Sequence, residues 1–224
     1  DLVVIAPDEA GGLRAGETAL AFRGMLAERH GDLLGSTAEG RMVVVVFSSL
    51  DRLRAHYGRR ELFPPGPLHG YHDPMRRAIF LPPGAPERVL RHEAVHLLVS
   101  ESLAGTATLS PWLSEGLAQL FEGCDPVTAE VARPLDLVDR VEVDRLLVLQ
   151  DYRRFTGAEA ALNYGEALAL TSFLYFGRPR ETLRAYLAKE RARESGRAEA
   201  FRSLYRHDEP PFARDLARFL AGGR

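Results

Sequence analysis

The chain has 224 residues, a formal net charge of −2, 46% hydrophobic residues and 27% charged ones. That is the balance of a soluble globular protein, long enough for one large domain or for two lobes around a shared core. The near-neutral charge argues against nucleic acid as the main partner. No apolar run approaches the roughly 20 residues that span a bilayer, and the single cysteine, Cys124, excludes both an internal disulfide and a multi-cysteine metal site.

Leu2–Ala6 (LVVIA) is a short β-branched run and reads as a buried strand. Ala15–His30 has helical spacing, with Gly31 as its stop. Met42–Phe47 (MVVVVF) is apolar on both faces and predicts a central strand. A short helix over Ser49–Tyr57 follows, then a Pro/Gly loop at 62–70. Tyr71–His72 and Ala78–Leu81 form two short strands joined by a turn at Asp73–Pro74. Pro86 suits the first turn of a helix that runs to about Ser102.

After the loop GTATLS, Ser110 caps a helix that ends near Gly123. From Pro126 onward the pattern is helical. Val141–Leu149 is ambiguous between helix and strand, whereas Ala160–Phe176, Glu181–Glu190 and Phe212–Leu220 are clearer helices. KERARE at 189–194 reads as an exposed helix face. The expected architecture is α+β: a single domain over 1–224, with an α/β lobe (1–102) and a helical lobe (103–224) meeting near 92–115.

The chemistry concentrates in RHEAVHLLVS, 91–100. Positions four apart share a helix face, so His92 and His96 can aim imidazole nitrogens at one point. Zinc accepts such nitrogens at about 2.0–2.1 Å. Glu93 lies roughly 100° round the helix, too far for an equivalent ligand but placed to reach a water at the metal. His-Glu-x-x-His is a known metalloprotease helix signature, yet it arises by chance in about 1% of chains of this composition. A second signal is therefore required. The extended pattern HExxHxxGxxH is excluded, because Val99 and Ser102 stand where it needs glycine and histidine. Downstream, PWLSEGLAQLFEG carries Glu115 in an apolar helix, where an unpaired carboxylate is costly and a metal would supply a partner.

HEAVH followed by 18 residues and then Glu115 within WLSEGLA resembles the gluzincins, the thermolysin-like and aminopeptidase-like zinc peptidases. The order of elements is similar to small bacterial peptidase-MA-like domains. Outside 71–122 and 160–175 this likeness is one of pattern only. The resemblance implies a zincin-like fold with a small mixed sheet, an active-site helix and a mostly helical C-terminal lobe. It implies one zinc ion held by His92, His96 and Glu115, Glu93 as general base, and a peptide or protein substrate. It also implies a tyrosine that stabilises the oxyanion, in a Tyr-x-Lys-Gly context. Tyr164 in NYGEALALTSFLY matches the tyrosine, but Glu166 and Ala167 replace the lysine and glycine. Simple packing at a helix start remains the alternative for Tyr164.

His69 and His72 are further candidates for the oxyanion role or for substrate contact, against the commoner reading of solvated histidines. Gln119 and Glu122 are candidates to orient a ligand, against a solvated reading. Arg76 and Arg77 suit either a substrate carboxylate or a solvated turn. Two functions of different class fit the whole: a zinc metallopeptidase, or a zinc-bearing binding or scaffold module of the same fold without turnover. Hydrolysis of a non-peptide amide or ester at the same zinc is a third. A bacterial exported or periplasmic location and a cytoplasmic one both fit. A chain starting at Asp1 is compatible with a trimmed or mature form in which a signal peptide would not be seen.

Overall fold

The computed structural model describes residues 1–34, 41–58, 69–102, 109–123, 141–192 and 196–222. Most of the Pro/Gly loop at 62–70, most of GTATLS, Cys124, the helical reading from Pro126 to 140 and the last residues of KERARE lie outside them. The chain is α+β, with a small mixed sheet and mostly helical content. It divides into two compact units, Asp1–Gly105 with Phe121–Ala129, and Thr106–Leu120 with Glu130–Arg224. Among the described residues, no helix is long and apolar enough to cross a membrane.

The first unit is built on four strands: β1 (Leu2–Ile5), β2 (Met42–Val46), β3 (Tyr71–Asp73) and β4 (Ala78–Leu81), in the order β1-β2-β4-β3. β1, β2 and β4 are parallel, and β3 is an antiparallel edge. MVVVV is central, as its two apolar faces require. β1 is an edge strand rather than a buried one, with Val3 36% and Ile5 55% exposed. Its β-branched composition signals extended backbone but does not say how much of each face is covered.

Side chains alternate across a strand, so the sheet presents two faces. Val43, Val45, Ala78, Phe80 and Tyr71 pack with Leu53 and Tyr57 of α2 (Leu50–Gly58). Met42, Val44, Ile79 and Leu81 are the buried alternates, on the face taken by α1 (Glu9–Leu34) and α3 (Glu87–Ser102). α3 buries Leu90, Ala94, Val95, Leu97 and Leu98. At about 1.5–3 kcal/mol per large apolar side chain, that stripe seats the helix firmly on the sheet.

α1 begins six residues earlier than its periodicity predicts and passes through Gly31. Asp8 starts it by accepting from Gly11 N at 2.7 Å. A Cβ at Gly12 would lie 3.2 Å from Ala6 Cβ, and one at Gly16 would lie 3.3 Å from Val4 Cγ2. Small residues thus serve close packing on β1, and they hide the apolar stripe. Gly31 costs about 1 kcal/mol inside a helix. Burial of Leu26, Leu33 and Leu34 around it outweighs that.

The second unit contains α4 (Pro111–Glu122) up to Leu120, then α5 (Val143–Val148), α6 (Tyr152–Phe155), α7 (Ala160–Phe176), α8 (Arg180–Arg191), α9 (Arg197–Tyr205) and α10 (Pro210–Leu220). The ambiguous Val141–Leu149 stretch therefore contains a helix. α4 crosses α7 closely at Gly116, where an added Cβ would meet Thr171 Oγ1 at 2.1 Å and Ala167 O at 2.6 Å. Trp112 is fully buried, stacked 6.1 Å from Tyr186 and edge-on to Phe201 at 5.9 Å.

Glu190 corrects the reading of KERARE as an exposed face, because it is fully buried. Its carboxylate accepts from Ser110 N (3.1 Å), Ser110 Oγ (3.0 Å) and the Tyr186 hydroxyl (2.7 Å), and Arg197 Nε lies 3.2 Å away. Three donors and a cation offset the desolvation cost of burying this carboxylate.

Candidate metal centre

α3 delivers two imidazoles to one point. The Nε2 atoms of His92 and His96 lie 3.1 Å apart, with the rings 4.8 Å apart and tilted by 76°. His96 is 5% exposed, deep on the apolar stripe, whereas His92 is half-buried. One donor atom from each of His92, His96 and Glu115 falls within 4.8 Å of the other two. These three residues could hold a metal ion.

Glu122 fixes the state of His92. It accepts from His92 Nδ1 at 2.9 Å. A carboxylate can only accept, so Nδ1 carries a proton, and in the neutral ring the lone pair lies on Nε2. Arg91 holds the end of α4 in place by donating from Nε to the Glu122 carbonyl (2.7 Å) and from Nη1 to Glu87 (3.1 Å). That carbonyl would otherwise be one of the helix's orphan acceptors. Of the two residues weighed as orienting groups, Glu122 meets a ligand side chain. Gln119 instead donates to the backbone carbonyls of Glu115 (3.4 Å) and Tyr164 (3.2 Å), tying α4 to the start of α7.

Glu93 projects beside the histidines, its side chain 12% exposed. His72 Nδ1 donates to its Oε2 at 3.3 Å, and the His72 ring stacks on His96 at 5.0 Å and 20°. Burial pushes the Glu93 carboxyl upward. The His72 hydrogen bond and the charges of His92, His96 and His72 outweigh that and hold it below its ordinary range. The structure thus brings His72 to the site, while His69 is exposed. Arg76 and Arg77 serve the β3–β4 turn: Arg76 pairs with Asp73 at 3.4 Å, and Arg77 Nε donates to the Arg41 carbonyl at 2.9 Å.

Glu115 is 5% exposed on α4 and has a protein partner that the sequence did not disclose. The hydroxyl of Tyr152 hydrogen-bonds with Glu115 and with Ser114. Burial of that hydroxyl, then the Glu115 charge, raises it well above the ordinary tyrosine value, although 38% of the residue as a whole is exposed. Tyr152 belongs to a single helical turn started by Asp151, which accepts from Arg153 N at 2.8 Å. One turn is too short to show a period, so no pattern could have singled it out.

Tyr164 is half-buried in the first turns of α7, edge-on to Phe155 at 5.2 Å and close enough to Tyr152 to contribute to its shift. Glu166, where the resemblance leads one to expect lysine, has a structural task. It is 2% exposed, pairs with Arg145 and accepts from Glu142 N at 3.1 Å, joining α5 to α7.

No protein-family model matches the chain, and a search of the curated proteins finds no similar sequence.

Proposed function

We propose that the chain is a zinc-dependent peptidase, with zinc held by His92, His96 and Glu115. The observation that carries this reading is the convergence of those three donor atoms within 4.8 Å, next to a carboxylate that takes no part in the cluster, Glu93. Two imidazoles and one carboxylate suit zinc, and three protein donors with a fourth position left open are the catalytic rather than the structural arrangement. The tautomer that Glu122 imposes on His92 fits metal binding through Nε2. When bound, zinc would polarise the substrate carbonyl and make water acidic enough to attack at neutral pH.

Glu93 supplies the proton traffic. Held below the ordinary carboxyl range, it is ionised near neutral pH and ready to accept a proton from the attacking water. It then returns the proton to the departing amine. Glu122 keeps His92 in its ligating tautomer, and Tyr152 keeps Glu115 from turning away. Tyr164 is assigned the donor role for the developing oxyanion, on the resemblance of its sequence context and its place among Tyr152, Phe155 and Gln119.

Glu93→Gln tests the reading. The purified variant should bind zinc as wild type does and lose chelator-sensitive cleavage of a mixed peptide library by about 10²-fold or more. Equal cleavage by the variant would refute the mechanism. Wild type that holds zinc but cleaves nothing would instead favour a binding module.

A further inference from the structure

We propose that His72 is a positioning residue for Glu93, and that its hydrogen bond, rather than its ring stack, is what hydrolysis requires. The inference rests on the hydrolytic reading of the same site. It starts from strand register. In β3, His72 pairs with Ile79 of β4, while its neighbour Tyr71 pairs with Phe80. Cross-strand partners share a face. Tyr71 and Phe80 lie in the cluster with α2, so His72 points with Ile79 to the opposite face, where α3 lies. A shift of register by one residue would exchange the two and remove His72 from the site.

On that face His72 makes two contacts that can be separated. Its ring covers His96 at 5.0 Å and 20°, and its Nδ1 reaches Glu93 Oε2 at 3.3 Å. Since the carboxylate only accepts, His72 carries its proton on Nδ1. Glu93 has three rotatable side-chain bonds on a helix and would otherwise sample several rotamers. A general base works only within hydrogen-bond reach of its proton. The bond from a neighbouring strand selects one carboxylate orientation before substrate arrives. The contribution is pre-organisation, which should appear in kcat and not in binding.

Two substitutions divide the contacts. His72→Asn keeps an amide donor near the Nδ1 position and loses the ring. His72→Phe keeps a ring over His96 and loses the donor. Zinc-loaded proteins are compared for cleavage of a quenched-fluorescence peptide library, with kcat and KM measured on the best-cleaved member. His72→Phe should lose about tenfold or more in kcat with KM within about twofold, and His72→Asn should recover most of it, at equal zinc content. Full activity in His72→Phe, or an equal loss in both variants, overturns the proposal. Ring 15N chemical shifts give a readout independent of turnover. They should report the Nδ1–H tautomer for His72, altered in Glu93→Ala, and an Nε2–H tautomer overturns the proposal. Wild type that cleaves no peptide removes the hydrolytic reading, and this positioning role with it. Normal wild-type cleavage together with a fully active His72→Phe removes only the role of His72.

Discussion

Glu122 accepts a hydrogen bond from His92 Nδ1 at 2.9 Å and stands seven residues beyond Glu115 on the same helix. Seven residues are about two turns, so both carboxylates lie on one face of α4, one as a candidate metal ligand and the other bound to the far nitrogen of a candidate ligand, His92. Glu122→Ala should weaken zinc binding about 10- to 100-fold, because His92 loses the acceptor that fixes its tautomer and orientation. Competition with a chromophoric chelator measures this. Unchanged affinity would show that the bond does not orient His92.

Gly116 faces a different constraint. A methyl there would sit 2.1 Å from Thr171 Oγ1 and 2.6 Å from a backbone oxygen, and the backbone oxygen cannot rotate away. Gly116→Ala should cost about 1–3 kcal/mol of stability through overpacking, despite the better helix propensity of alanine. In a chain of this length that lowers the melting temperature by about 2–4 °C per kcal/mol. A rise in melting temperature would mean that α4 and α7 part easily.

Glu190→Ala should be more damaging. The buried carboxylate serves Ser110 twice, Tyr186 and Arg197, and its removal leaves those donors without their acceptor. Breaking such a buried pair costs about 3–5 kcal/mol. The Arg197 side chain is 24% exposed and can recover some hydration, so the lower end is expected. Urea unfolding midpoints decide this, and a change below about 1 kcal/mol would contradict it.

The same cluster predicts an alkaline limit. Burial, then the Glu190 charge, pushes Tyr186 far above its ordinary value of 10.0. The folded chain therefore holds this proton more tightly than the unfolded chain does. The stabilisation is complete below pH 10.0 and is lost as pH rises above that value, where only the unfolded state ionises. The slope is about 1.4 kcal/mol per pH unit for one such group. Tyr205, raised mainly by burial, acts in the same direction. Tyr186→Phe should therefore reduce the slope of stability between about pH 10 and 11 without removing it. An unchanged slope would show that Tyr186 ionises freely in the folded state.

Parts of the architecture were legible because they follow from local periodicity. MVVVV is a central strand, Glu87–Ser102 is a helix, and Tyr71 and Ala78 open a pair of antiparallel strands. The α1 start was hidden because glycines that pack against β1 carry no hydrophobic signal. Glu190 looked solvated because two of its donors come from Ser110, 80 residues away, and its neighbours Tyr186 and Arg197 do not by themselves signal burial. Within the metal centre, helix spacing alone puts His92 and His96 on one face. Tyr152 reaches Glu115 from a one-turn helix with no period to read. His72 reaches Glu93 through strand register, which depends on a pairing 21 residues before Glu93 that a pattern of three residues cannot specify.

The two-turn interval in α4 has a consequence for how this chain can vary. Inserting or deleting one residue between Glu115 and Glu122 would swing one carboxylate by about 100° relative to the other. The first would then leave the candidate ligand set, or the second would miss His92. Gly116 apart, substitutions can be absorbed between those positions, since Leu117, Ala118 and Leu120 need only remain apolar and of similar size. Changes of length cannot. The eight residues from Glu115 to Glu122 act as a fixed ruler, and a natural variant or a designed one should keep their number even where it keeps few of their identities.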